Sequence, residues 1–110
     1  MEGPLQEKDW KTMRSIKDEL LQELCSRINL KSSQILADTT KTPHLRYGDL
    51  YGHVKDSDRI VADCFDDWRR SRLSMKIICL RRHKLLTDEH VKHLSNSAQE
   101  WIKMINEGIL

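Results

Sequence analysis

Apolar side chains return every three or four positions along most of this chain. Trp10, Met13, Leu20, Leu21, Leu24, Cys25 and Ile28 mark one face of an amphipathic helix. Pro4 suits its first residue, where a missing N–H leaves nothing unpaired, and Asn29 suits its stop, so the pattern predicts a helix over 4–28. Ser32 or Ser33 caps a short piece over 33–38 that turns Ile35 and Leu36 inward.

Thr42 and Pro43 open the next run as N-cap and first residue. From there Tyr47, Leu50, Tyr51, Val54, Val61, Cys64, Phe65, Trp68, Met75, Ile78 and Cys79 keep helical period over 43–84. Gly48 and Gly52 weaken that run and Ser57 offers a restart, so a break is expected either near 48–57 or within "RRSRLS" at 69–74, if one occurs. Thr87 caps a helix over 88–94. Ser97 with Glu100 three later forms a capping box for a helix over 97–107, which Gly108 ends.

No stretch alternates with period two. The expected fold is therefore all-α: a small antiparallel helical bundle, one domain over 1–110, with one long central helix. Trp10, Trp68 and Trp101 each fall on the apolar stripe of their own helix, as packing anchors do.

Length then points outward. A continuous 43–84 helix would be roughly 60 Å long, against about 35 Å for a compact domain of this size. Its overhanging stripe needs a cover, which a second copy supplies. The expected interface is Val61, Phe65, Trp68, Met75 and Ile78 in a homodimer.

Charge refines the picture locally rather than globally. Nineteen Lys and Arg against seventeen Asp and Glu leave a formal net charge of +2, too little to draw the whole chain to nucleic acid or a membrane. Yet residues 49–67 hold six acids and two bases, and residues 68–86 hold seven bases and no acid. Acids toward a helix N-terminus and bases toward its C-terminus suit the macrodipole with no ligand at all. Laid antiparallel, two such helices would set acidic halves against basic ones, which favours an antiparallel dimer.

The same bases carry the first alternative, a nucleic-acid binder using Arg69, Arg70, Arg72, Lys76, Arg81, Arg82 and Lys84 on phosphates. No reader motif accompanies them, and the last helix carries Glu100, Lys103 and Glu107, poor composition for entering a groove. A second alternative is a metal-dependent all-α hydrolase holding Mg²⁺ on Asp63, Asp67, Glu19 and Glu23. His90 and His93 beside Asp88 and Glu89, or Asp49 with His53, offer two ligands each, and two do not make a site. No phosphate loop, nucleophile elbow or Cys/His dyad at diagnostic spacing is present, so no catalytic residue and no cofactor is expected.

The three cysteines, Cys25, Cys64 and Cys79, are odd in number and form no CxxC pair. Buried free thiols in a reducing compartment are expected, without disulfide or zinc. "MEGPLQEKDW" lacks the apolar run of a signal peptide, and nothing reaches the ~20 apolar residues of a membrane span. A cytoplasmic, self-associating helical interaction or scaffold module is the function these features favour, ahead of an enzyme.

Overall fold

The computed structural model describes residues 3–108, and every regular element in them is helical. Five α-helices follow one another: α1 (Glu7–Ala37), α2 (Pro43–Phe65), α3 (Leu73–Arg82), α4 (Asp88–Val91) and α5 (Asn96–Asn106), with a 3₁₀ turn at Arg70–Arg72 leading into α3. The all-α expectation holds, but the long helix is the first one.

α1 starts later and ends later than its pattern predicts. Gln6 is its N-cap, so Pro4 lies ahead of the helix. Asp9 in the first turn accepts the Gln6 backbone N–H at 2.8 Å. Leu5 and Trp10, both buried, occupy the two positions of a hydrophobic staple. Asn29 does not stop the helix, and no separate 33–38 piece forms. Asn costs a helix only a few tenths of a kcal/mol, and the Ser32 hydroxyl donates back to the Ile28 carbonyl at 2.8 Å without leaving helical geometry.

Thr42 and Pro43 open α2 as expected, with the Thr42 hydroxyl accepting the Leu45 N–H. The 43–84 run is divided, however. Neither Gly48, Gly52 nor Ser57 interrupts α2; it ends at Phe65. Asp67 adopts a left-handed backbone (φ 55°), which a short polar side chain tolerates, and its carboxylate gathers Arg69 and Arg72. The Lys76 ammonium reaches back to the Asp63 carbonyl at 2.8 Å, satisfying a last-turn acceptor of α2 with a cation where the dipole favours one.

The final helix also shifts. Ser95, not Ser97, is the N-cap of α5, because Ser95 is held by Asp9. The fully buried Asp9 carboxylate accepts the Ser95 N–H at 2.6 Å and its hydroxyl at 2.7 Å, while that hydroxyl accepts the Ala98 N–H. One carboxylate thus joins the N-termini of α1 and α5. Ser97 instead donates to the Pro4 carbonyl at 2.7 Å. Gly108 follows α5 at φ 74°, its N–H on the Ile105 carbonyl.

The core gathers Met13, Leu20 and Leu24 of α1, Cys64 and Phe65 of α2, and Leu73, Ile77 and Leu80 of α3. Leu85, Leu86, Leu94, Ala98 and Ile102 of the C-terminal third complete it. All of this sits at one end. No residue from 25 to 56 is buried, so the second half of α1 and the first half of α2 project from the head as a two-helix arm. The molecule measures 53 × 26 × 20 Å, with a radius of gyration of 16.9 Å against about 13 Å for a compact chain of this length.

Two outcomes follow for stability. Replacing Asp9 by Ala strands the buried Ser95 N–H and loosens both helix starts, which should lower the unfolding free energy by about 3 kcal/mol in urea titration. A β-carbon at Gly48 or Gly52 meets nothing within 4 Å. Gly48→Ala with Gly52→Ala should therefore raise stability or arm protection from hydrogen exchange by about 1–2 kcal/mol.

Candidate functional site

The five residues of the expected interface do not share one outer face. Phe65 is buried in the head, and Trp68 stacks on it with ring centroids 6.0 Å apart and planes 11° from parallel. The Lys17 ammonium sits 5.2 Å from the Trp68 ring centre, so that ring packs against α1 of its own subunit. Val61 is half-buried against the core and Ile78 half-buried beside α2, while Met75 is exposed. The break at Asp66–Arg72 is the reason, because it rotates α3 out of register with α2.

It also dismantles the basic stretch. Arg70 grips Glu7 through Nε and one terminal nitrogen at 2.6–3.1 Å, and its guanidinium lies 5.3 Å from the centre of the Trp10 ring. That guanidinium holds the Glu7 carboxyl below the usual carboxylate range. Arg69 and Arg72 bind Asp67, lowering its pKa in the same way. Arg81 spans the Leu86 carbonyl and Asp88. With Lys76 turned inward, only Arg82 and Lys84 of the seven hold no such partner among the described residues.

The four carboxylates of the hydrolase alternative divide between two clefts. Asp63 and Asp67 line one of about 370 Å³ together with Asp66, Arg72, Lys76, Cys79 and His83. Glu19 and Glu23 line another with Arg27, Leu85, Thr87 and His90. Three of the four are already engaged: Asp67 as above, Glu23 with Arg27 at 3.0 Å, and Glu19 with His90 Nε2 at 2.7 Å. Because His90 Nδ1 accepts the Thr87 N–H, the network assigns the proton to Nε2, donating to Glu19. His90 thereby serves as a strut between α4 and α1. His93 is exposed. Asp49 pairs with Lys41, while His53 lies against α1 with Nε2 3.0 Å from the Ile28 carbonyl, so these two are not poised as a ligand pair.

What stands unpartnered is the arm. On α2, Tyr47, Tyr51 and Val54 follow at spacings of four and three, which places them on one helical face, and they are 67%, 63% and 48% exposed. Leu45 and, on α1, Leu30 and Leu36 are exposed as well. The arm's own seam mixes the half-buried Ile28, Ile35 and Leu50 with polar groups. Arg46 donates to the Leu36 carbonyl at 2.8 Å, and His53 turns from that seam toward Ile28 with Ser57 behind it. Among the described residues no helix is long and apolar enough to cross a membrane.

Sequence periodicity placed Tyr47, Tyr51 and Val54 on the overhanging stripe, but the expected interface was set further along, at Val61–Ile78. Beyond Ile28 the inward positions of α1 are Ser32 and Ile35, both only half-buried, so this face of α1 offers α2 one large apolar side chain where the head offers several. A second constellation was not singled out in the sequence: Cys64 at the end of α2 lies beside Cys79 of α3 and His83 at its C-cap. Burial, then a hydrogen bond with Cys79, pushes the Cys64 thiol far above its ordinary range. Since only the thiolate attacks electrophiles, Cys64 in chelator-treated native protein should resist alkylation at neutral pH and up to mildly alkaline pH, while half-exposed Cys25 reacts. Peptide mapping by mass spectrometry checks this, with Cys64 labelled only as the protein unfolds.

Comparison with protein-family models, with curated proteins and with solved structures finds no match for this chain.

Proposed function

We propose that the protein is a helical interaction module that works through its arm, and that the arm's occupant is a second copy of the chain. The observation that carries this reading is the stretch 25–56, which has no buried residue yet bears the Tyr47–Tyr51–Val54 face. Helical hairpins of this length draw little stability from propensity and need an apolar face covered. Tyrosines exposed to about two thirds are rigid, amphipathic anchors of the kind that dominate protein interfaces.

A copy fits the chemistry of that face. An antiparallel two-fold centred on Tyr51 sets Tyr47 opposite Lys55 of the partner subunit, and His44 opposite Asp58 of the partner subunit. Aromatic then meets cation, and imidazole meets carboxylate, at both ends of one apolar strip. The proposed dimer keeps the antiparallel sense expected from the sequence but takes the arm rather than the Phe65–Ile78 segment as its interface. Charge complementarity now comes from α2 alone, because the basic residues of 69–81 are neutralised within the subunit.

Nucleic acid is the weaker occupant, since the exposed stripe carries few cations and, among the described residues, the basic stretch keeps only Arg82 and Lys84 unengaged. A cytoplasmic setting agrees with three free thiols.

Sedimentation or light scattering at micromolar concentration should give the mass of a dimer. Tyr47→Glu with Tyr51→Glu should reduce it to a monomer, with the near-ultraviolet dichroism of the head retained and the concentration dependence of the melting temperature lost. A wild-type protein that stays monomeric across that range overturns the reading, as does a double variant that remains dimeric.

A further inference from the structure

Cys64, Cys79 and His83 are far apart along the chain, yet the fold places their ligating atoms within 4.8 Å of one another. Cys79 and His83 are four residues apart at the end of α3, hence one above the other on the same side of the helix. Cys64 comes from the last turn of α2 and faces them across the α2–α3 junction. From these three groups we infer a binding site for Zn²⁺ at that junction, with two thiolates and one imidazole as protein ligands and the fourth position open to the cleft.

The donor set selects the metal. Two sulfurs and a ring nitrogen suit a borderline-soft cation and not Mg²⁺ or Ca²⁺, which take oxygen. Tetrahedral zinc with 2.3 Å bonds to sulfur requires an S···S edge of about 3.8 Å. The ligands therefore need to close by at most about 1 Å, within reach of small rotations at Cys79 and His83. His83 is half-buried, and its ring makes no hydrogen bond among the described residues, so a ring nitrogen is available to a cation.

Its backbone, by contrast, is fixed. Arg27 donates to the carbonyls of His83 and Lys84 at 3.0 and 3.1 Å, and Lys84 takes a left-handed turn at φ 57°. Two of the three ligands thus sit on a helix end anchored to α1, and the third is fully buried.

The surroundings complete a coordination shell. Asp63 and Asp66 line the adjacent cleft of about 370 Å³ with Cys79 and His83, so water or a carboxylate can take the fourth position. Arg72, Lys76 and Arg82 line it too and balance its aspartates. A coordinated cation deprotonates a thiol outright, so binding releases protons to solvent.

Cobalt(II) is the probe, because its thiolate complexes absorb in the near ultraviolet and its tetrahedral sites absorb in the visible. Reduced, metal-free full-length protein titrated with Co²⁺ should develop both bands with a break at one equivalent. One equivalent of Zn²⁺ should abolish them. Cys79→Ser should lose the intensity of one thiolate. His83→Ala should weaken affinity by more than the roughly 10–100-fold that loss of a supporting residue costs. Cys25→Ser should leave spectrum and affinity unchanged.

Cys64→Ser carries a risk of misfolding at its buried site, so circular dichroism accompanies it, and the Cys79 and His83 variants decide the outcome. The inference is overturned if the wild-type protein gives no charge-transfer band. It is equally overturned if the band survives Cys79→Ser and His83→Ala together, or if Cys25→Ser removes it. None of these readouts depends on whether the arm dimerises.

Discussion

The turn at Asp66–Arg72 decides what this chain becomes. Had α2 continued, Phe65, Trp68, Met75 and Ile78 would have run along one rod. Instead Asp67 takes a left-handed backbone, and Arg69 and Arg72 converge on its carboxylate. Trp68 folds onto Phe65, and Lys76 covers the exposed carbonyl end of α2. Each contact is modest, and the ion pairs at the surface add little on their own. Together they turn the chain so that Leu73, Ile77 and Leu80 bury against α1 and the C-terminal segment. Burial of three such side chains, at about 2 kcal/mol each, outweighs the helical turns given up.

Most of the local grammar was legible. Thr42–Pro43 and Thr87 start helices where their chemistry says they should, and Gly108 ends one. The misreadings share a cause: tertiary partners overruled local preference. Asn29 and the serines after it read as a stop but are carried through because α2 packs alongside. Ser97 has the better capping box, yet Asp9, eighty-six residues before Ser95, recruits Ser95 instead. No pattern in a single helix announces a carboxylate buried against the start of another. The same holds for the site. Cys79 and His83 at a spacing of four were half a signal, but their third member is defined by a turn whose position was one of two open options.

Electrostatics tell a parallel story. A block of seven bases invited a search for an external anion, and the fold supplies internal ones. Glu7, Asp67 and Asp88 come from three different segments, and the carbonyls of Asp63 and Leu86 do the rest. Neighbouring charges in the sequence thus did not predict neighbouring charges in space. Among the described residues the interior keeps two charged side chains, Asp9 and Lys76, and each sits where a helix end leaves unpaired groups of opposite polarity. Buried charge is tolerated here because backbone dipoles, rather than ion-pair partners, meet it.

The helix that outruns the head is α1, not the 43–84 run. At 1.5 Å per residue, the 31 residues of α1 extend roughly 46 Å, longer than the head they serve. α2 then has two regimes along one continuous helix: Ser57, Cys64 and Phe65 are locked into the core, and nothing before Ser57 is. Opening free energies should fall along α2 from Phe65 toward Pro43, because the contacts that resist fraying all lie at one end. A partner seated on Tyr47–Val54 would order the weak end, whereas a cation at Cys64 would act on an end already ordered. Two ligands couple only through a segment whose order both of them change. Since the core end of α2 has no order left to gain, the proposed assembly through the arm and the proposed cation binding at the α2–α3 junction should operate independently.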